Sequence, residues 1–183
     1  MSARGRILQG GVPQAVYADG DRVVAEAGGP ALDPAGCRWL PPAAGKIICV
    51  ALNHRPHLAS LGTTLSGPPY DGQPVEPVLF IKPPNTLAGH RAPLPVPAAE
   101  PLYAGAGLGV VFGRAASRVA TADAHACIAG YTLFNELTLA EDSYFRPAIR
   151  AKCRDASAAM GPWLVPAGTV DPDALVLRTL IDE

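Results

Sequence analysis

Four polar residues that can take part in acid–base or anion-binding chemistry follow an apolar run near residue 50. The segment ALNHRPHLASLG places Asn53, His54, Arg55 and His57 directly after KIICV. Polar side chains at the end of a buried strand often face a cleft, so one interpretation is a substrate-binding cluster. The other is that the histidines lie at the surface and Arg55 forms a structural ion pair, because no carboxylate follows nearby to make His57 a general base. These residues alone leave both interpretations open.

Lysine and arginine side chains provide two further candidate sites. Lys82 ends the apolar run VLFIK, where its ammonium group either extends to solvent or faces an anionic ligand. The segment DSYFRPAIRAKCRD carries four cations within nine residues, which are Arg146, Arg150, Lys152 and Arg154. It is either a solvated basic loop or a carboxylate-binding segment, because guanidinium groups bind carboxylates through two parallel hydrogen bonds.

The glycine-rich stretch LYAGAGLGVVFGR, from Leu102 to Arg114, resembles half of a dinucleotide-binding motif. Such a motif needs a strand before the glycines and a helix after them, because the pyrophosphate binds at the helix N-terminus. Here the proline-rich PVPAAEP precedes the glycines, the strand VVF follows, and no GK[ST] completes a P-loop. We therefore interpret Gly105, Gly107 and Gly109 as glycines at the entry to a strand.

Short strands and long loops must position these candidates, because the chain contains 20 prolines and 19 glycines. A hairpin is predicted in AVYADGDRVVAEA, with its turn at residues 19–21. A helix of about two turns is predicted from Thr121, with Gly130 just past its end. Further strands are predicted in KIICVALN, VLFIKP, GLGVVFGR, GYTLFNELT and ALVLRTLI. The prediction is a mostly β chain with minor α content, divided into a small hairpin region, 1–45, and a catalytic-type domain, 46–183.

Composition excludes several classes of function. The net charge of −1 gives no support for a nucleic-acid partner, and 49% hydrophobic residues argue against disorder. The four cysteines form no CxxC pair and are predicted to be reduced thiols. Neither a signal peptide nor a membrane span is evident, so the sequence predicts a cytoplasmic protein with no membrane partner.

Several motifs together resemble the fumarylacetoacetate hydrolase superfamily. From about Leu40 they occur in the family's order, as GKIICVALNHRPH, FIKPPNTLAGH, GVVFGR, CIAGYTLFNELT, and RAKCRD followed by MGPWLV. The resemblance implies the family's mixed β-roll, with sheets around a central cavity. Because the sequence stops at RTLIDE, we predict that the last strands of this fold are missing. Within the superfamily, SYFRPAIRAKCRD is most similar to the isomerase/decarboxylases of 4-hydroxyphenylacetate (homoprotocatechuate) degradation.

The same resemblance implies a Mg²⁺ or Mn²⁺ site that this chain retains only in part. The family holds its ion with two glutamates and an aspartate, and such hard oxygen ligands suit this type of cation. Counted back from Gly113, the glutamate positions fall on Gly105 and Gly107, while the aspartate position falls on Glu136. One carboxylate does not hold Mg²⁺ firmly, so we predict weak or absent metal binding, with Glu136 as the remaining ligand.

The resemblance also implies roles for the cationic and polar candidates. Lys152 and His57 are the predicted catalytic residues. The predicted substrate-binding residues are Asn53, Arg55, Lys82, Arg146 and Asp155. Two residues that the family uses beside this site are replaced here. The glutamate that pairs with the loop histidine in some members corresponds to Ser60, and the arginine that follows the aspartate corresponds to Ala140.

Three functions follow as hypotheses. The first is a subunit of an enzyme that decarboxylates 5-oxopent-3-ene-1,2,5-tricarboxylate and isomerises 2-hydroxyhepta-2,4-diene-1,7-dioate. The second is an acylpyruvate or fumarylpyruvate-type hydrolase, and the third is a metal-free, non-catalytic partner of a metal-bearing paralogue. The expected ligand is a small di- or tricarboxylate 2-oxo acid. Because a β fold without closing strands exposes an edge, we expect a homo-oligomer, or a hetero-oligomer with a metal-bearing paralogue.

Overall fold

The N-terminal residues form a four-stranded antiparallel sheet. The structure is a computed structural model that describes residues 2–141, 143–144 and 148–181. The sheet order is β3-β2-β1-β4, formed by β1 (Arg4–Gln9), β2 (Val12–Asp19), β3 (Arg22–Ala25) and β4 (Trp39–Leu40). The predicted hairpin is β2–β3, with Asp19 opposite Arg22 at the turn.

A small apolar core stabilises this sheet and joins it to the later part of the chain. Ile7, Val16, Val23 and Trp39 are buried together. The ring of Trp163 packs edge-on against Trp39, with the ring centroids 4.8 Å apart. Backbone hydrogen bonds between Arg4 and Leu164 reinforce the junction. The N-terminal sheet therefore packs against the segment that follows the motif RAKCRD.

Two long antiparallel strands form the centre of the second sheet. These are β8 (Leu102–Phe112) and β9 (Ile128–Leu139), and Gly105 lies opposite Glu136 in their register. The other edge of β9 pairs with β10 (Ala158–Met160) and β11 (Val165–Pro166), and β10 pairs in parallel with β7 (Leu87–Ala88). Gly105, Gly107 and Gly109 lie inside β8, so their predicted position at the strand entry was wrong. The strand is longer than predicted because β9 supplies hydrogen-bond partners along its whole length.

Two antiparallel strands are joined by the segment that carries Asn53, Arg55 and His57. Strand β5 (Ile47–Ala51) pairs with β6 (Val78–Lys82) to form what we call the β5–β6 hairpin, and the short helix α1 (Arg55–Ser60) follows β5. Side chains alternate between two faces along each strand. Residues 47, 49, 51, 78, 80 and 82 form the inner face, which is half-buried or buried. The outer face consists of Ile48, Val50, Leu79 and Ile81, which are 46% to 65% exposed.

Helical structure is limited, as a mostly β chain requires. Besides α1 the structure contains α2 (Ile149–Lys152) and 3₁₀ turns at Pro34–Gly36, Pro84–Thr86, Thr121–Cys127, Ala167–Thr169 and Pro172–Ala174. None of the described residues form a helix long and apolar enough to cross a membrane. The predicted fold class, mostly β with minor α, is confirmed.

Two local predictions were wrong in detail. The helix expected from Thr121 is a 3₁₀ turn that ends at Cys127, and Gly130 lies inside β9. Seven residues are too few for a stable isolated α-helix. The strand expected in ALVLRTLI is absent from the described residues 175–181, because an apolar run becomes a strand only where a neighbouring edge pairs with it.

Candidate functional site

Four charged side chains meet between the β5–β6 hairpin and the central sheet. Lys82 Nζ lies 2.9 Å from Glu136 Oε1, and Lys152 Nζ lies 3.1 Å from Glu136 Oε2. Lys152 Nζ also lies 2.7 Å from Glu141 Oε1. Each of these side chains is at most 18% exposed. We call Lys82, Glu136, Glu141 and Lys152 the charge cluster.

Secondary structure brings the charge cluster together from positions far apart in the sequence. Lys82 is the last residue of β6 and lies on the inner face of the hairpin. Glu136 lies in β9, and Glu141 follows the end of that strand. Lys152 ends the helix α2. Their convergence therefore depends on how β6, β9 and α2 pack against one another.

Hydrogen bonds to the backbone of Lys152 fix its position. Lys82 Nζ donates to the Lys152 carbonyl as well as to Glu136. The buried hydroxyl of Ser157 donates to the same carbonyl at 2.9 Å. One side of the Lys152 ammonium also faces the ring of Phe80, with Nζ 4.7 Å from the ring centroid, a cation–π contact. Lys82, Ser157 and Phe80 thus hold Lys152 before any ligand binds.

The charge cluster is electrically balanced, with two ammonium groups and two carboxylates. A buried charge is tolerated only when a partner compensates its lost hydration, and here every member has one. Burial alone lowers the pKa of Lys152, but the hydrogen bond to Glu141 and the charge of Glu136 outweigh it and raise that pKa above its usual 10.5. Lys152 is therefore an ammonium at neutral pH, able to donate hydrogen bonds and unable to act as a general base.

Cys49 lies beside the charge cluster and was not singled out from the sequence. It occupies the inner face of β5, opposite Phe80. Burial, and then the charge of Glu136, raise the pKa of its thiol to about 11, although Lys82 and Lys152 act in the opposite direction. The thiol is therefore protonated at neutral pH. Strand alternation could have placed Cys49 on the same face as Lys82, had the pairing of β5 with β6 been known.

The residues of this site do not fit a divalent cation of the kind the family resemblance implies. Both carboxylate oxygens of Glu136 are taken by lysine ammonium groups. Gly105, directly opposite in β8, has no side chain and so provides no metal ligand. A Cβ at that position would lie 3.3 Å from the Glu136 carbonyl oxygen, which leaves nearly enough room for a side chain. The described residues contain no group of three or more His, Cys, Asp or Glu side chains arranged to hold a metal.

The other predicted site residues lie outside the charge cluster. Asn53, Arg55 and His57 are exposed, and no hydrogen bond among the described residues joins them to the cluster. The ring of His57 stands edge-on to Tyr144, with centroids 6.4 Å apart. Asp155 accepts a hydrogen bond from Asn85 Nδ2 at 2.6 Å and so ties the loop after Lys152 to the loop after β6. Arg146 lies outside the described residues.

A shallow depression adjoins the cluster on the side of Glu141. It has a volume of about 260 Å³ and is lined by Ala140, Glu141, Ser143 and residues 148–151. Tyr70 contacts one residue of this lining, because its hydroxyl lies 3.1 Å from Ser143 Oγ, and it also accepts a hydrogen bond from the Tyr144 amide at 2.9 Å. Of the charge cluster, only Glu141 lines this depression.

Comparison with known proteins gives the family context of this arrangement. Residues 46–183 match the family model described as fumarylacetoacetate (FAA) hydrolase C-terminal. The 4-hydroxyphenylacetate degradation bifunctional isomerase/decarboxylase of Salmonella dublin is 42% identical over 127 residues, which are 69% of this chain and 29% of that protein. The chain thus matches less than a third of that relative's length.

Solved structures share the fold over almost the whole chain. The 2-hydroxyhepta-2,4-diene-1,7-dioate isomerase from Mycobacterium marinum superposes with a TM-score of 0.70 at 26% identity, covering 94% of this chain and 68% of that one. The maleylpyruvate hydrolase from Sphingobium sp. SYK-6, in complex with manganese (II) ion and pyruvate, has a TM-score of 0.69 at 17% identity, covering 94% and 70%. The second likeness shows the shared fold alone.

Proposed function

Because this chain belongs to the fumarylacetoacetate hydrolase family, we propose that it is a subunit of a decarboxylase/isomerase in 4-hydroxyphenylacetate degradation. Its substrates in this proposal are 5-oxopent-3-ene-1,2,5-tricarboxylate and 2-hydroxyhepta-2,4-diene-1,7-dioate. The similarity to a bifunctional isomerase/decarboxylase supports the choice of reaction. The observation that carries the proposal is the Lys152 ammonium, held in a fixed position between two carboxylates.

Both reactions place negative charge on the same substrate oxygen. In the decarboxylation, the bond to the departing carboxylate breaks and CO₂ leaves. The electron pair passes through the double bond to the 2-oxo oxygen, and a proton then adds to that oxygen to give the 2-hydroxydiene. In the isomerisation, the hydroxyl proton leaves and a carbon of the diene gains a proton, again through a dienolate. A positioned N–H donor at this oxygen stabilises the transition state of either reaction.

Lys152 is the donor that this geometry favours. An ammonium group has three N–H bonds, and Lys152 uses two of them on Glu136 and Glu141. Lys82 is fully buried and hydrogen-bonded to Glu136 and to the Lys152 carbonyl, so its role in this proposal is to position Lys152. We propose that the substrate enters from the depression beside Glu141 and meets the remaining N–H of Lys152.

The exposed residues after β5 suit the distal carboxylates of such a substrate. Arg55 and His57 lie on α1, and Asn53 lies two residues before that helix begins. We propose that they bind substrate carboxylates, together with Arg146 and Asp155 as the family resemblance implies. In this proposal His57 also exchanges protons with substrate carbon. We also propose that Mg²⁺ or Mn²⁺ binds weakly or not at all, because Glu136 is already engaged by two lysines.

The outer face of the β5–β6 hairpin supports the proposal of a subunit. Its four aliphatic side chains are exposed together, and two paired strands alone are marginally stable. An apolar face of this kind is typical of an interface. We propose that another subunit, either a second copy or a metal-bearing paralogue, covers it. We also propose that residues 1–45 form a small N-terminal region with its own hairpin, and that residues 46–183 form the catalytic-type domain.

The test is an activity assay with matched lysine variants. The purified chain, alone and with a co-expressed paralogue, is given the tricarboxylate, and the dienoate ultraviolet absorbance is followed. We expect Lys152→Met to lower kcat/KM by about 10²- to 10³-fold, as when one oxyanion donor is lost. Lys46→Met, at an exposed position before β5, should leave kcat/KM unchanged.

Other outcomes of this assay would contradict the proposal. Turnover of acylpyruvates without decarboxylation would support the hydrolase instead. Activity that requires the paralogue and is insensitive to Lys152→Met would support a non-catalytic partner. Wild-type chain that is inactive on both substrates in every combination would exclude the proposed function.

A further inference from the structure

The position of the Lys152 ammonium resembles that of a bound cation. Two carboxylates, from Glu136 in β9 and from Glu141 two residues past its end, converge on Nζ at 3.1 Å and 2.7 Å. A third polar neighbour is absent from the opposite strand, where Gly105 lies across from Glu136. Two acidic side chains aimed at a single point would repel each other strongly without a positive charge between them.

A divalent ion cannot share this point with the lysine. A metal bound to Glu136 Oε2 and Glu141 Oε1 would lie within a few ångströms of the Lys152 Nζ, which already contacts both oxygens. Lys82 adds a second positive charge on the remaining oxygen of Glu136. The repulsion between the ion and two poorly hydrated ammonium groups would exceed the gain from two carboxylate ligands.

We propose that the Lys152 ammonium is the resident cation of this site, a covalently attached replacement for a divalent ion. It holds Glu136 and Glu141 in place and excludes Mg²⁺ and Mn²⁺. The structure of the maleylpyruvate hydrolase from Sphingobium sp. SYK-6, which shares the fold, contains a manganese (II) ion. The inference concerns the same site as the proposed function and deepens it, but its test measures metal binding rather than turnover.

Removing the lysine should therefore create a metal site. In Lys152→Met, Glu136 and Glu141 retain three negative oxygens not engaged by Lys82, and a hard cation can bridge them. Mn²⁺ binding is measured by electron paramagnetic resonance and by calorimetry with MnCl₂. We expect about one equivalent bound with Kd on the order of 10⁻⁴–10⁻³ M, as for weak carboxylate sites. The wild type should bind at least about tenfold more weakly under the same conditions.

Matched variants separate this explanation from a general change in charge. Lys152→Arg keeps a cation between the carboxylates and should bind no Mn²⁺. Lys152→Met combined with Glu141→Gln should lose the gained binding, while Lys46→Met removes a lysine elsewhere and should gain none. Circular dichroism of every variant verifies that the strands are intact.

Two results would overturn the inference. One is stoichiometric, tight binding of Mn²⁺ by the wild-type chain, which needs no variant and holds even if Lys152→Met fails to fold. The other is a folded Lys152→Met protein with no more affinity for Mn²⁺ than the wild type. A wild-type chain without decarboxylase activity, in the absence of either result, would contradict only the proposed function.

Discussion

The charge cluster and the polar group at α1 use cationic side chains in opposite ways. In the cluster, Lys82 and Lys152 are buried and each contacts at least one carboxylate of the protein. At α1, Arg55 and His57 are exposed, and no described residue forms an ion pair with either. We call Asn53, Arg55 and His57 the α1 group. One region is complete before any ligand arrives, whereas the other remains available to one.

This difference indicates a division of work in the proposed site. Positioning a donor for catalysis requires a rigid group whose charge is already compensated. Binding a substrate carboxylate requires charge that the protein has not yet neutralised. We therefore expect changes in the charge cluster to affect folding and kcat, and changes at Asn53 and Arg55 of the α1 group to affect KM. The predictions below test this division.

The largest effect is expected at Glu136. Glu136→Ala leaves the fully buried Lys82 and the nearly buried Lys152 without their shared partner. Breaking a buried pair on one side typically costs about 3–5 kcal/mol, which corresponds to roughly 6–20 °C in Tm for a chain of this size. The measurement is urea unfolding followed by circular dichroism, together with a thermal melt.

The matched control is an ion pair at the surface. Arg150 and Glu100 lie 2.5 Å apart with exposed side chains, and such pairs contribute about 0–1 kcal/mol. Glu100→Ala should accordingly change the unfolding free energy little. A loss of unfolding free energy for Glu136→Ala as small as that expected for Glu100→Ala would show that the charge cluster does not stabilise the fold.

An intermediate effect is expected in the α1 group. Arg55→Ala and Asn53→Ala should each raise KM for the tricarboxylate about tenfold, because each removes one charge or hydrogen-bond partner from a substrate carboxylate. Stability should stay within about 0.5 kcal/mol, because these side chains are exposed. Steady-state kinetics and the same unfolding assay measure both quantities. If Arg55→Ala lowered stability as much as Glu136→Ala, the proposed division would be wrong.

The smallest effect is expected on changing pH. The carboxylates raise the pKa of Lys152 in the folded chain, so folding favours its protonated form. The stabilisation is fully present below the unfolded pKa of about 10.5 and is lost as pH rises through the folded value. The unfolding free energy of the wild type relative to Lys152→Met should therefore be constant from about pH 7 to 9 and fall above about 10.5. A decline between pH 7 and 8 would show that Lys152 loses its proton far below its usual range.

Individual strands were predictable because each carries its own pattern. The apolar runs from Ile47 and Val78, and the Asp-Gly-Asp turn before Arg22, indicate strands from local residues alone. The strand predicted near the C-terminus was wrong, because pairing depends on a distant edge that the local sequence does not specify. The same limit explains why β8 includes its glycines, since β9 pairs with it throughout.

The charge cluster was only partly predictable. Lys82, Glu136 and Lys152 were selected by motif, but their separations in sequence, 54 residues between Lys82 and Glu136 and 16 between Glu136 and Lys152, give no indication of a shared contact. Glu141 and Ser157 were missed, because an acidic residue in a loop and a serine near a turn are common everywhere.

The lack of a side chain at Gly105 of β8, across from Glu136, has an evolutionary consequence. If Gly105 mutated to glutamate, the new carboxylate would meet a site whose positive charge is already supplied by Lys152. If Lys152 were lost first, two acidic side chains would remain without the third ligand that makes a firm metal site. Each step is unfavourable alone and favourable only with the other, which is strong epistasis between neighbouring positions. A lineage with this lysine between the two carboxylates is therefore expected to keep it.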